Sequence, residues 1–297
     1  MSPVSAAPAV TDELQAGFIG LGSMGALMAR HIAAAGRLAG VWNRSPERSL
    51  IFAADTGVAI AASPADLAAQ VDVLLLCVSA DADVLALIEQ IAPALRPGQI
   101  VIDCSTVSRA TALSAAARVR TCGPDFLDAP VTGGMEGARN GTLAIMVGGA
   151  AATLARARPV LDPMASRVIH LGEVGMGQSA KAVNQVMCAG INEAVTEALA
   201  FGAHLGLDMD KLIEVIAGGA AGNWFLDKRG PTMTRDRFTP GFKLHLHQKD
   251  LGICLAMAAA LDMELPLTEI TSNHYRALID AGHGEDDISA LYRLKRP

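Results

Sequence analysis

Apolar and polar positions follow two regimes along the chain. In the first, short apolar runs of strand length alternate with stretches of helical period. Strands are expected just before Gly20 and at Leu38 to Trp42, 57–61, 71–78, 99–105, 142–148 and 168–171, with helices to about Ala35, from Pro64 to about Gln70 and from about Asp83 to Leu95. Near-continuous apolar strands separated by helices predict a parallel sheet covered on both faces. In the second regime everything reads helical. A long helix spans roughly Ser179 to Leu207, followed by Asp210–Gly218, Trp224–Arg229, Lys243–Leu261 and Leu267–Gly282. The change of regime divides the chain into a disordered leader at 1–15, a doubly wound α/β domain at 16–178 and an all-α domain at 179–297.

The long helix is apolar on most of its circumference, at Val183, Val186, Met187, Ile191, Val195, Ala198 and Leu199. Such a helix needs cover nearly all round, from its own domain or a second subunit. A homodimer or homotetramer through the helical domain is therefore expected.

Composition narrows the function. Apolar residues make up 51% of the 297 and charged residues 18%, with a formal net charge of -6 and no cluster of Lys or Arg. Nucleic acid is thereby excluded as the main partner, because that binding rests on basic patches. No apolar run approaches the ~18 residues of a membrane span. Five scattered cysteines in apolar runs read as reduced thiols of a cytosolic protein, and no Cys/His spacing suggests a metal.

The first strand runs directly into Gly20, Leu21, Gly22, Ser23, Met24 and Gly25, and then into a helix. Between strand and helix, this glycine spacing is the dinucleotide-binding fingerprint of a Rossmann-type domain: a tight turn, a close approach for a pyrophosphate, and tight helix packing. The next strand ends in Asn43, Arg44 and Ser45, where an acid would hold a ribose 2′-hydroxyl. With no acid present, and with Arg44 able to pair with a 2′-phosphate, NADP(H) is expected over NAD(H). Strand ends face the crevice in such sheets, so Val78-Ser79 and Ser105-Thr106 are candidates to line it, although Ser79 is equally a capping hydroxyl.

Two further stretches carry chemistry. In Asp128–Gly134, Thr132 and two successive glycines, Gly133 and Gly134, can form a nest for a carboxylate, although by themselves they read first as a plain turn before the strand at 142–148. Lys181, expected in the first turn of the long helix, is the sole Lys or Arg between Val168 and Asp210. A helix start favours anions, so a cation there implies an anionic or carbonyl ligand and a depressed pKa; a lysine snorkelling to solvent is the bland alternative. Lys181, Asn184, Gln185 and Cys188 share one helix face. Lys249 and Asp250 break the apolar pattern of a later helix, and His245 and His247 read as packing or surface residues.

Five segments in order, GFIGLGSMG at 17–25, DCST at 103–106, DAPVTGG at 128–134, GEVGMGQSAKAVNQ at 172–185 and KDL at 249–251, make the chain resemble the β-hydroxyacid dehydrogenase family. That group includes 3-hydroxyisobutyrate dehydrogenases and tartronate semialdehyde reductases. The resemblance implies that the glycine loop, Asn43-Arg44-Ser45, Val78, Thr106 and Lys249 bind the cofactor. It places the substrate carboxylate on Thr132, Gly133 and Gly134. Lys181 becomes the catalytic lysine, with Asn184 or Gln185 orienting substrate, and Asp250 and Asn223-Trp224-Phe225 close over the site. Many members carry Leu-Pro where this chain has Val78-Ser79. Imine reductases share the fold with the lysine replaced, so an imine reductase or an inactive cofactor-binding scaffold are the alternatives.

Overall fold

A computed structural model describes residues 14–296. Of the expected leader, Leu14 packs on the core and the Gln15 amide donates to Asp72 at 3.0 Å; the rest lies outside the described residues.

Nine strands form one sheet: β1 (Ala16–Ile19), β2 (Leu38–Trp42), β3 (Ala59–Ile60), β4 (Val73–Leu76), β5 (Ile100–Asp103), β6 (Asp125–Asp128), β7 (Val131–Thr132), β8 (Leu143–Gly148) and β9 (Ala165–Gly172). Their order is β3-β2-β1-β4-β5-β6-β8-β7, with β9 on β8. The first six are parallel, and β8 runs antiparallel to β6 and β7. The expected all-parallel sheet thus becomes mixed beyond β6, where the chain returns without a long crossover. Strands β1, β4 and β5 are fully buried, which explains their unbroken apolar runs.

Seven helices join the strands: α1 (Gly25–Ala34), α2 (Pro46–Thr56), α3 (Pro64–Gln70), α4 (Asp81–Ile91), α5 (Arg109–Arg120), α6 (Gly134–Asn140) and α7 (Ala151–Leu161). They leave an apolar cluster on each sheet face. The periodicity reading passes over α2, α5, α6 and α7. In α5 the reason is composition, since a run of small alanines packs closely without announcing a stripe, and its start is marked by Ser108, whose hydroxyl accepts from Thr111 N.

The remainder is helical: α8 (Met176–His204), α9 (Met209–Ala217), α10 (Trp224–Met233), α11 (Leu244–Ala259) and α12 (Pro266–Asp280), around their own core containing Phe225, Leu244, Leu251 and Tyr275. Helix α8 starts three residues before the expected Ser179. Gly175, with φ +91, lets the chain turn into it, and the Asp128 carboxylate accepts from Gly175 N at 2.7 Å and Gln178 N at 2.8 Å. Lys181 therefore lies in the second turn of α8, not the first. The anion favoured at the helix start is supplied from β6. One side of α8 stays bare in the single chain, with Val183 65%, Met187 62% and Phe201 66% exposed.

Candidate active site

The order β3-β2-β1-β4-β5 reverses direction between β1 and β4, and an open sheet of this kind forms its ligand crevice there, beyond the strand ends. The glycine loop sits at that point. Gly20 has φ +98, and a side chain on it would meet the Cys77 carbonyl at 2.2 Å; one on Gly25 would meet the Gly20 carbonyl at 1.9 Å. At Gly22 the nearest atom is the Arg48 guanidinium, 3.7 Å away, so the backbone there is open to a pyrophosphate. Ser23 and Met24 lead into α1, whose start has no side-chain cap. The three glycines thus have the turn, the approach and the packing that a dinucleotide needs.

Asn43 ties the end of β2 to this loop, accepting from Leu21 N at 2.8 Å and donating to the Ser45 carbonyl at 3.0 Å. Arg44 is 83% exposed and paired with Asp83 of α4 at 3.0 Å. Arg48, which sequence reasoning missed, stands beside Gly22 in a shallow cleft with Leu21, Ser23 and Arg30. Its signal was its place in the first turn of α2, four residues after Arg44. Across the crevice, Val78 N donates to Ser105 Oγ at 2.9 Å, and Thr106 offers its carbonyl to Lys249 Nζ at 2.6 Å.

Two more residues were missed, although both stand inside the quoted motifs. Asp128 caps α8, and burial raises its pKa against the amides that it accepts. Gln178, almost fully buried, donates to the Ser105 carbonyl and accepts from Val107 N, stapling α8 to the loop after β5.

From α8, Lys181 enters this space 7% exposed, and among the described residues its ammonium has no hydrogen bond or ion pair. Burial lowers its pKa, with Asp250 and Cys188 pulling the other way. Gln185 is fully engaged: its amide donates to Asp250 at 2.7 Å and its oxygen accepts from Asn184 at 2.8 Å. Asn184 is only half-buried, and its side-chain oxygen has no partner among the described residues. Asp250 is itself buried, held by Gln185 and by Lys249 at 2.9 Å. His247 is wholly buried as well: it contacts Tyr275 Oη and the Gln185 carbonyl, and burial pushes its pKa down to about 4.

Thr132 ends β7, followed by Gly133 and Gly134 at φ +128 and +61. Trp224 is half-exposed at the start of α10, its ring 5.3 Å from the Arg229 guanidinium. No group of metal-binding side chains occurs among the described residues, and no described helix is long and apolar enough to cross a membrane.

Residues 15–172 match the NAD binding domain of 6-phosphogluconate dehydrogenase, and residues 175–295 match the NAD-binding domain of NADP-dependent 3-hydroxyisobutyrate dehydrogenase. The chain belongs to the 3-hydroxyisobutyrate dehydrogenase family. It is an NAD(P)-dependent β-hydroxyacid dehydrogenase. A 2-hydroxy-3-oxopropionate reductase of Escherichia coli K12 is 35% identical, covering 94% of this chain and 96% of the relative. An NAD-dependent L-serine dehydrogenase of Pseudomonas aeruginosa is 34% identical, over 95% and 98%. Among solved structures, the dehydrogenase is similar to Mycobacterium tuberculosis 3-hydroxyisobutyrate dehydrogenase with L-serine, at a TM-score of 0.86 and 35% identity over 96% of this chain and 99% of that one.

Proposed function

We propose that the enzyme transfers hydride between NADP(H) and a small 3-hydroxy acid or its semialdehyde, of the 3-hydroxyisobutyrate or tartronate semialdehyde type. The observation that carries this reading is Lys181, a buried ammonium without a protein partner, beside the cofactor crevice. When bound, the nicotinamide supplies the hydride for carbonyl reduction or takes it up in oxidation. Lys181 polarises the carbonyl oxygen and gives it a proton, and takes one from the hydroxyl in the reverse direction. Thr132 and the Gly133 and Gly134 amides hold the carboxylate. Asn184, whose amide nitrogen donates to Gln185 and Cys188 while its side-chain oxygen has no partner among the described residues, orients the substrate through that oxygen, whereas Gln185 and Asp250 hold α8 against α11 behind it. Trp224 contributes to the wall of the same crevice.

Preference for NADP(H) rests on Arg44 and Arg48, with Asn43 and Ser45 shaping the loop that presents them. Asp83 is a competitor that a 2′-phosphate must displace from Arg44. The bare face of α8 at Val183, Met187 and Phe201 supports a homo-oligomer, and five free thiols support a cytosolic setting. Assaying NADPH and NADH oxidation with a panel of short semialdehydes, 2-oxo acids and cyclic imines tests this. Reduction of carboxylated semialdehydes with NADPH is expected; turnover of imines alone, or of nothing, defeats the reading.

A further inference from the structure

Two successive glycines in the left-handed region give the Thr132–Gly134 turn little stiffness of its own. Thr132 pairs with Ala144 of β8, and the turn that follows is held further from the other domain. Glu136, in the first turn of α6, pairs with Arg229 of α10 at 2.9 Å, and the same guanidinium reaches Asp287 at 3.2 Å. Arg229 is 12% exposed and Asp287 1%. Asp287 in turn accepts from Gly241 N at 2.8 Å and Phe242 N at 3.1 Å, and the Gly241 carbonyl accepts from Met135 N at 3.4 Å. A side chain at Gly241 would lie 1.9 Å from Arg229 Nη2, so the backbone is pressed against the guanidinium. Trp224 covers the group from another side.

We propose that Arg229 is a positioning residue, which fixes the Thr132–Gly134 turn against the helical domain and thereby sets where the substrate carboxylate lies relative to Lys181. This rests on the carboxylate reading of that turn. Only a planar fork joins two carboxylates on separate domains in fixed geometry; an ammonium, as a point charge, does not. The second oxygen of Glu136 is buried without a partner, so the pair with Arg229 is the carboxylate's tie to the helical domain.

The test compares Arg229→Gln, Arg229→Lys and Glu136→Gln with the parent, using the best carboxylated semialdehyde of the panel and its methyl ester. Glu136→Gln removes the ion pair between domains and leaves Arg229 on Asp287, so it stays informative if the arginine variants fold poorly. The expected result is a tenfold or greater rise in KM for the acid, with KM for the ester and Kd for NADPH within about twofold of the parent. Hydrogen exchange at the amides of residues 133–137 is expected to quicken in all three. Equal losses on acid and ester, or none on either, overturn the proposal. Should the parent reduce neither compound, the functional reading fails and exchange alone decides: unchanged protection at 133–137 overturns the role of Arg229.

Discussion

The Asp128 carboxylate caps a helix that begins far along the chain, accepting from Gly175 N at 2.7 Å and, with its other oxygen, from Gln178 N at 2.8 Å. This contact anchors α8, and with it Lys181, to the end of β6. Asp128→Ala strands both buried amides and is expected to cost roughly 2–4 kcal/mol, seen as a fall of roughly 5 °C or more in Tm. Asp128→Asn keeps one acceptor and loses about half as much. Thermal melts that matched the parent would refute the capping role.

Lys181→Met preserves the bulk of the stem and removes the ammonium. Turnover is expected to fall roughly 10²–10⁴-fold while NADPH still binds, as a fluorescence titration reports. In the parent, burial lowers the lysine pKa, so with Lys181 as the proposed general acid carbonyl reduction is expected to slow at a pH below the ordinary lysine value of 10.5. A reduction rate that stays level up to pH 10.5 speaks against this role.

Arg44 and Asp83 form an exposed pair that a 2′-phosphate has to open. Arg44→Ala is expected to raise KM for NADPH by roughly 10–100-fold, the scale of a charge-assisted hydrogen bond, and to change KM for NADH little. Asp83→Asn releases Arg44 and lowers KM for NADPH. Equal effects on the two cofactors would remove the basis for the preference.

Asp103 and His247 give opposite pH dependences of stability. Burial pushes the Asp103 carboxyl up to about 7, with one oxygen lacking a partner, so its contribution is present at pH ~4 and is lost as pH rises through about 7. Burial pushes His247 down to about 4, so the unfolded chain binds the proton more readily and stability is lost as pH falls from 6.5 towards 4. Urea melts from pH 4 to 7 are expected to show Asp103→Asn weakening faster than the parent on acidification, and His247→Gln weakening more slowly. Parallel curves for all three proteins would disprove both assignments.

Much of this was legible from short range. The fingerprint from Gly20 to Gly25 works through backbone conformation within one turn, and fully buried strands leave unbroken apolar runs whatever their partners. Lys181 stood out because it was a lone cation in an apolar stretch. Helix α5 was not legible, as its alanines give no contrast between faces. His247 read as packing or surface because two residues in a helix reveal nothing of the groups on α8 and α12 that meet them.

By itself the sequence determined the two-part architecture, the family, the cofactor loop and the set of polar residues, since each depends on local periodicity or on spacing within a few residues. Only the tertiary structure decided which of those residues contact one another. Gln185 and Asp250 lie 65 positions apart and pair with each other, while Asn184 donates to Gln185 and keeps its side-chain oxygen unpartnered among the described residues. Asp128 fills the anion slot at the start of α8, so the lowering of the Lys181 pKa comes chiefly from burial and not from its place against the dipole. Arg229 meets Glu136 across the two domains. Contacts of this kind form between strand ends and helices distant in the chain, and no local pattern encodes which donor will find which acceptor.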